Sequence, residues 1–143
     1  MESQFFNIKV KYLTQLEDQS IKKVTKQYVL KAISFTDAEA QIRTNLENDI
    51  PEFNIVNCNP FNIQDVRIDE TKESFFKVKV AYQDIDEATG KVKKLIENYI
   101  IQGNEIKDVT TSTNELLNGS IMDYIIENIQ LTKIDNVFYQ VNK

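Results

Sequence analysis

The chain has 143 residues, 41% hydrophobic and 27% charged, with a formal net charge of −5 and no histidine. That composition fits a folded, acidic protein of one domain's length and lies outside the disordered range. Without histidine, serine–histidine and cysteine–histidine nucleophile systems are excluded. One cysteine and three glycines leave no basis for a disulfide, a zinc site or a glycine-rich phosphate loop.

Taken in chain order, the opening residues Met1 to Phe6 carry no basic segment followed by an apolar run. No stretch approaches the roughly 18 apolar residues of a membrane span. A cytoplasmic location, with no membrane partner, is the expectation. Residues 5–12 then alternate, with Phe6, Ile8, Val10 and Tyr12 on one face and Phe5, Asn7, Lys9 and Lys11 on the other. This predicts a strand buried on one side. A polar loop, Leu13 to Ser20, leads to a β-branched and aromatic run over about 21–33 that completes a hairpin. Thr36-Asp37-Ala38-Glu39 reads as a capping box, and Ala38, Ile42 and Leu46 follow as one apolar stripe, which predicts a helix lying on the sheet. A strand over 53–58 and a shorter extended piece over 61–68 come next, with Cys58 at a strand end or turn before Asn59-Pro60.

The same series then returns. Phe75-Phe76-Lys77-Val78-Lys79-Val80-Ala81-Tyr82 shares five of eight residues with 5–12 at an offset of 70, and after the next loop the offset holds at 71. Lys22-Lys23 falls on Lys93-Lys94, Tyr28-Val29-Leu30 on Tyr99-Ile100-Ile101, Ala38 on Val109, and Phe53-Asn54-Ile55 on Tyr124-Ile125-Ile126. The second hairpin closes with a run over 92–102, and the last two extended pieces cover 124–130 and 133–140. Asn104 can cap the second helix and Gly119 can end it. Thr110, Thr111 and Thr113 lower its propensity, which allows a start as late as Ser112, paired with Glu115 as a second capping box. The expected fold is α+β, a tandem duplication of a ββαββ unit over 1–71 and 72–143. The two units would form one compact domain with a shared, antiparallel-rich sheet, two helices on one side and a pseudo-twofold axis.

Chemistry is sparse. Asp84-Ile85-Asp86-Glu87 fails the calcium-loop template, which wants a ligand and then glycine where Ala88 and Thr89 stand. No nucleophile, base and orienter assemble, so no catalytic residue, metal or cofactor is expected, and the protein is read as a non-enzyme. Lysines, however, concentrate in the hairpins, which hold eleven of the 17 basic residues. Phe5 shares a strand face with Lys9 and Lys11, and Phe75 with Lys77 and Lys79. Lys22, Lys26 and Lys93 lie on the partner strands. Lysines tracking phosphates beside rings that stack on bases is how single-stranded nucleic acid is held. These nine residues form the candidate site. The competing explanation is a solvated sheet face, favoured by a pI of about 4.8 where nucleic-acid domains are usually basic.

The run Phe5-Phe6, Ile8-Lys9-Val10-Lys11-Tyr12 resembles the opening of a family of unknown function found in Bacteroidetes and their phages, including crAss-like phages. Ser34-Phe35-Thr36-Asp37-Ala38-Glu39-Ala40, Met122-Asp123-Tyr124 and Ile134-Asp135-Asn136-Val137-Phe138 carry the resemblance along essentially the whole chain. It implies a phage or mobile-element context, in the host cytoplasm or a virion, and transfers no functional residue. The expected function is that of a non-enzymatic accessory protein binding single-stranded nucleic acid. A protein–protein interaction or virion structural role, with a homo-oligomer among its forms, is the alternative.

Overall fold

The structure, a computed structural model, describes residues 2–139. Two long hairpins dominate it. β1 (Gln4–Gln15) pairs with β2 (Ile21–Ala32), then α1 (Phe35–Leu46), β3 (Asn54–Pro60) and β4 (Asp65–Arg67) follow. β5 (Ser74–Ile85) pairs with β6 (Val92–Gly103), followed by α2 (Ile106–Leu116), β7 (Tyr124–Leu131) and β8 (Asn136–Phe138). The predicted extended piece over 133–140 is thus a three-residue strand, and its last residue lies outside the described range.

The α+β class holds, but the single shared sheet is replaced by two mixed four-stranded sheets, ordered β3-β1-β2-β8 and β4-β6-β5-β7. Each helix packs on its own sheet. Ala38, Ile42 and Leu46 of α1 meet Phe6, Ile8, Val10 and Leu30 in one core. Val109 of α2 meets Phe76, Val78, Val80 and Ile101 in the other. The alternation of β1 and β5 therefore buries the predicted face of each.

The short strands are exchanged. β4 pairs in parallel with β6, and β8 in parallel with β2. Chain length explains this. β3 and β2 are both antiparallel to β1, so a further strand parallel to β2 in that sheet would need a crossover of about a dozen residues or more. Only residues 61–64 separate β3 from β4, and only 132–135 separate β7 from β8. Each short strand accordingly completes the other sheet. The compact units are the chain up to Phe61 with the stretch from Ile134 onward, and Asn62–Lys133. The 1–71 and 72–143 division of the sequence is not the division of the sheets.

Helix starts differ from expectation. Ser34, not Thr36, caps α1: its Oγ accepts from Asp37 N at 3.1 Å, while the Asp37 carboxylate accepts from Ile33 N at 3.0 Å. α2 begins at Ile106 after Glu105, which makes no side-chain cap, and not at Asn104 or Ser112. Its threonines are tolerated because Thr110 and Thr113 donate their hydroxyls to the carbonyls of Ile106 and Val109. Among the described residues, no helix is long and apolar enough to cross a membrane.

Candidate functional site

Residues directly opposite one another across an antiparallel pair share a face, so strand register sorts the lysines. Each sheet has a helix-covered face and a far face. On the far face of the first sheet stand Lys9, opposite Gln27 and Asn57, Lys11, opposite Thr25 and Asn54, and Lys23, opposite Leu13. None of these cross-strand neighbours is acidic. Among the described residues, no carboxylate lies within ion-pair distance of Lys9, Lys11 or Lys23.

The rest of the sequence-derived set is dispersed. Lys22 is opposite Thr14 and Lys26 opposite Val10, so both project on the helix side of the sheet. Lys26 is also ion-paired to Asp135 at 3.5 Å, and Asp135 accepts from Gln27 N at 2.8 Å, which ties down the start of β8. Lys93, opposite Asp84, likewise faces the helix side of the second sheet. Phe5 and Phe75 are 4% and 2% exposed, so neither ring is open to a base. Phe5 instead packs edge-on against Tyr139 at 5.3 Å, with Lys31 Nζ 5.2 Å from its centroid. Lys77 is half-buried opposite Ile100 and Gln130.

Lys79 carries the main contrast between the sheets. Both outer strands bulge at the same register, β3 between the residues opposite Lys9 and Val10, β7 between those opposite Lys79 and Val80. The bulged residue is Val56 in one and Glu127 in the other. Glu127 reaches Lys79 at 3.8 Å and Lys94 at 2.5 Å. These lysines hold its carboxyl below the usual range, the Lys94 hydrogen bond contributing most. In the first sheet the equivalent lysines are Lys9 and Lys23, and the bulged residue is Val56, 52% exposed and without a charge to offer them.

The next row outward also differs. It reads Asn54–Lys11–Thr25 in the first sheet and Ile125–Ala81–Ile96 in the second. One face is polar and cationic where the other is apolar. Around the end of β1 and the start of β3, a groove of about 510 Å³ joins Lys11 and Asn54 of the far face to Tyr12, Phe53 and Arg43 of the helix-covered side, with Glu52 also on its wall and the Arg43 guanidinium 5.7 Å from the Phe53 ring centroid.

The nine candidate residues do not include Lys23, Tyr12, Arg43 or Phe53. Lys23 and Tyr12 stand out in the sequence as matches of Lys94 and Tyr82, but the face Lys23 takes needs the hairpin register, and Arg43 carries no signal beyond aligning with the uncharged Asn114 at the offset of 71. Cys58 lies within β3, half-buried against the first core, and burial followed by the Glu39 carboxylate pushes its thiol up. That direction suits packing and not thiolate chemistry.

No curated protein matches the chain, and no solved structure does. Residues 4–140 match the profile of a domain of unknown function, DUF4494, and the chain belongs to that family.

Proposed function

We propose that the protein is a non-enzymatic accessory protein of a phage or mobile element that binds single-stranded nucleic acid on the far face of its first sheet. The observation that carries this is the set of three lysines, Lys9, Lys11 and Lys23, gathered on one face with no carboxylate partner among the described residues, while the second sheet neutralises the equivalent pair with Glu127. Asn54, Asn57, Thr25 and Gln27 surround the lysines with uncharged hydrogen-bonding groups suited to phosphate and sugar. The abundance of isoleucine, asparagine and lysine, a bias that suits an AT-rich genome, and the family resemblance support the phage setting.

The test is a fluorescence anisotropy titration of labelled oligo-dT in low salt. Three lysine–phosphate contacts give a slope of log affinity on log salt near about −2. A flat salt dependence, or no binding, contradicts the reading.

The second sheet supports a different role for its own far face. Ile125 and Ile96 are 59% and 38% exposed beside Ala81, and Ile85 and Val92, further out on the same hairpin, are 62% and 60% exposed. An apolar row of this kind fits a protein partner, including a virion component or a second copy of the chain. Light scattering that reports an oligomer, dispersed by Ile96→Lys and indifferent to nucleic acid, favours this reading over the first.

A further inference from the structure

We propose that the groove around the end of β1 and the start of β3 is a nucleotide-binding subsite, taking one base and its phosphate from a strand that leaves the cationic face at Lys11 and turns over that end of the sheet. The inference rests on the nucleic-acid reading above and names where the strand is anchored. The groove joins the two components that such recognition needs. Lys11 and Arg43 supply positive charge, and Tyr12 and Phe53 are half-buried rings at its wall. Arg43 is exposed and has no ion-pair partner among the described residues, so its charge is available. Its cation–π contact with Phe53, 5.7 Å to the ring centroid, keeps the guanidinium at the groove, where a phosphate can take two parallel hydrogen bonds. Glu52 is the one carboxylate among the lining residues, against two cations.

The second sheet shows what the same place looks like without this chemistry. The register that puts Asn54 opposite Lys11 puts Ile125 opposite Ala81. Asn114 stands where the repeat offset places Arg43, and it accepts a hydrogen bond from Tyr124 Oη at 2.8 Å. Both cations are gone, and the ring equivalent to Phe53 is tied to the helix. The scaffold therefore does not require Lys11, Arg43 or Asn54.

The test compares the full chain with Arg43→Gln and Phe53→Leu, using labelled oligo-dT of about 12 nucleotides and inorganic polyphosphate as a base-free probe. Arg43 is exposed, so its substitution leaves the core intact, and Phe53→Leu retains most of the packing volume, checked by circular dichroism. Phe53→Leu is expected to weaken oligo-dT binding by about tenfold and polyphosphate binding much less, because it removes the ring a base stacks on while only loosening the Arg43 guanidinium. Arg43→Gln is expected to weaken both probes and reduce the salt slope by about 0.7. If both variants bind oligo-dT as the parent does, the subsite is overturned while the lysine face stands. If the parent itself does not bind oligo-dT, the subsite falls together with the reading on which it rests.

Discussion

Tyr28 and Tyr99 occupy equivalent places on the helix-covered faces of their sheets, each next to charge that differs between the sheets. Tyr28 is 7% exposed, and burial, followed by the Asp135 carboxylate, pushes its phenol up from 10.0 to about 12. Tyr99 is pushed further by burial, then by the Tyr82 hydroxyl at 2.8 Å and Glu97, whose carboxylate accepts from Tyr99 at 2.7 Å. The sign follows from linkage: the neutral phenol's contribution is complete below the unfolded value and is lost as pH rises through the folded one. Denaturant midpoints of the parent are therefore expected to fall within the window from 10.0 to about 12, and those of Tyr28→Phe to fall less steeply. Equal slopes would contradict the assignment. The continuous apolar runs Tyr28-Val29-Leu30 and Tyr99-Ile100-Ile101 made their burial legible in sequence. The side-chain partners were not, because Asp135 is distant in the chain and Glu97 aligns with a lysine, Lys26, at the offset of 71.

Among the elements, the approach of α2 to β6 is set by one glycine. A Cβ on Gly103 would meet Val109 Cγ2 at 2.8 Å, inside contact distance. The first sheet solves the same contact with the sizes reversed. Ala32, paired with Gln4 as Gly103 is with Ser74, shares a core with Ala38, which aligns with Val109 at the offset of 71. Gly103→Ala is expected to cost about 1–3 kcal/mol through overpacking. In Gly103→Ala/Val109→Ala that clash is gone, so the double variant should be more stable than the summed single costs imply, by about 0.5 kcal/mol or more. Strict additivity in urea denaturation would contradict the contact. Helices and hairpins were readable from periodicity, and their volume pairing from aligning the two similar stretches of sequence. The destination of β4 and β8 was not. Val66 and Val137 show the same apolar signal whichever sheet receives them, and only the four-residue connections forbid their own.

For the molecule as a whole, the two sheets share one strand order, and the contrast lies in what their far faces carry. Strand parity decides this. Lys9 and Lys22 read as neighbours in a lysine-rich hairpin, yet a one-residue difference in register parity sends them to opposite faces. The net charge of −5 does not preclude a local cationic face, because exposed charges are screened beyond about 8–10 Å at ordinary salt. What the face requires is the absence of a carboxylate at the bulge. Exchanging that feature between the sheets tests the requirement most directly, by oligo-dT titration of Val56→Glu and Glu127→Gln in low salt. Val56→Glu is expected to engage Lys9 and Lys23 as Glu127 engages Lys79 and Lys94, weakening binding by about tenfold and flattening the salt slope. Glu127→Gln, which frees two lysines, is expected to strengthen binding and steepen that slope. Val56→Glu binding oligo-dT with the parent's affinity and salt slope would contradict the assignment of the face.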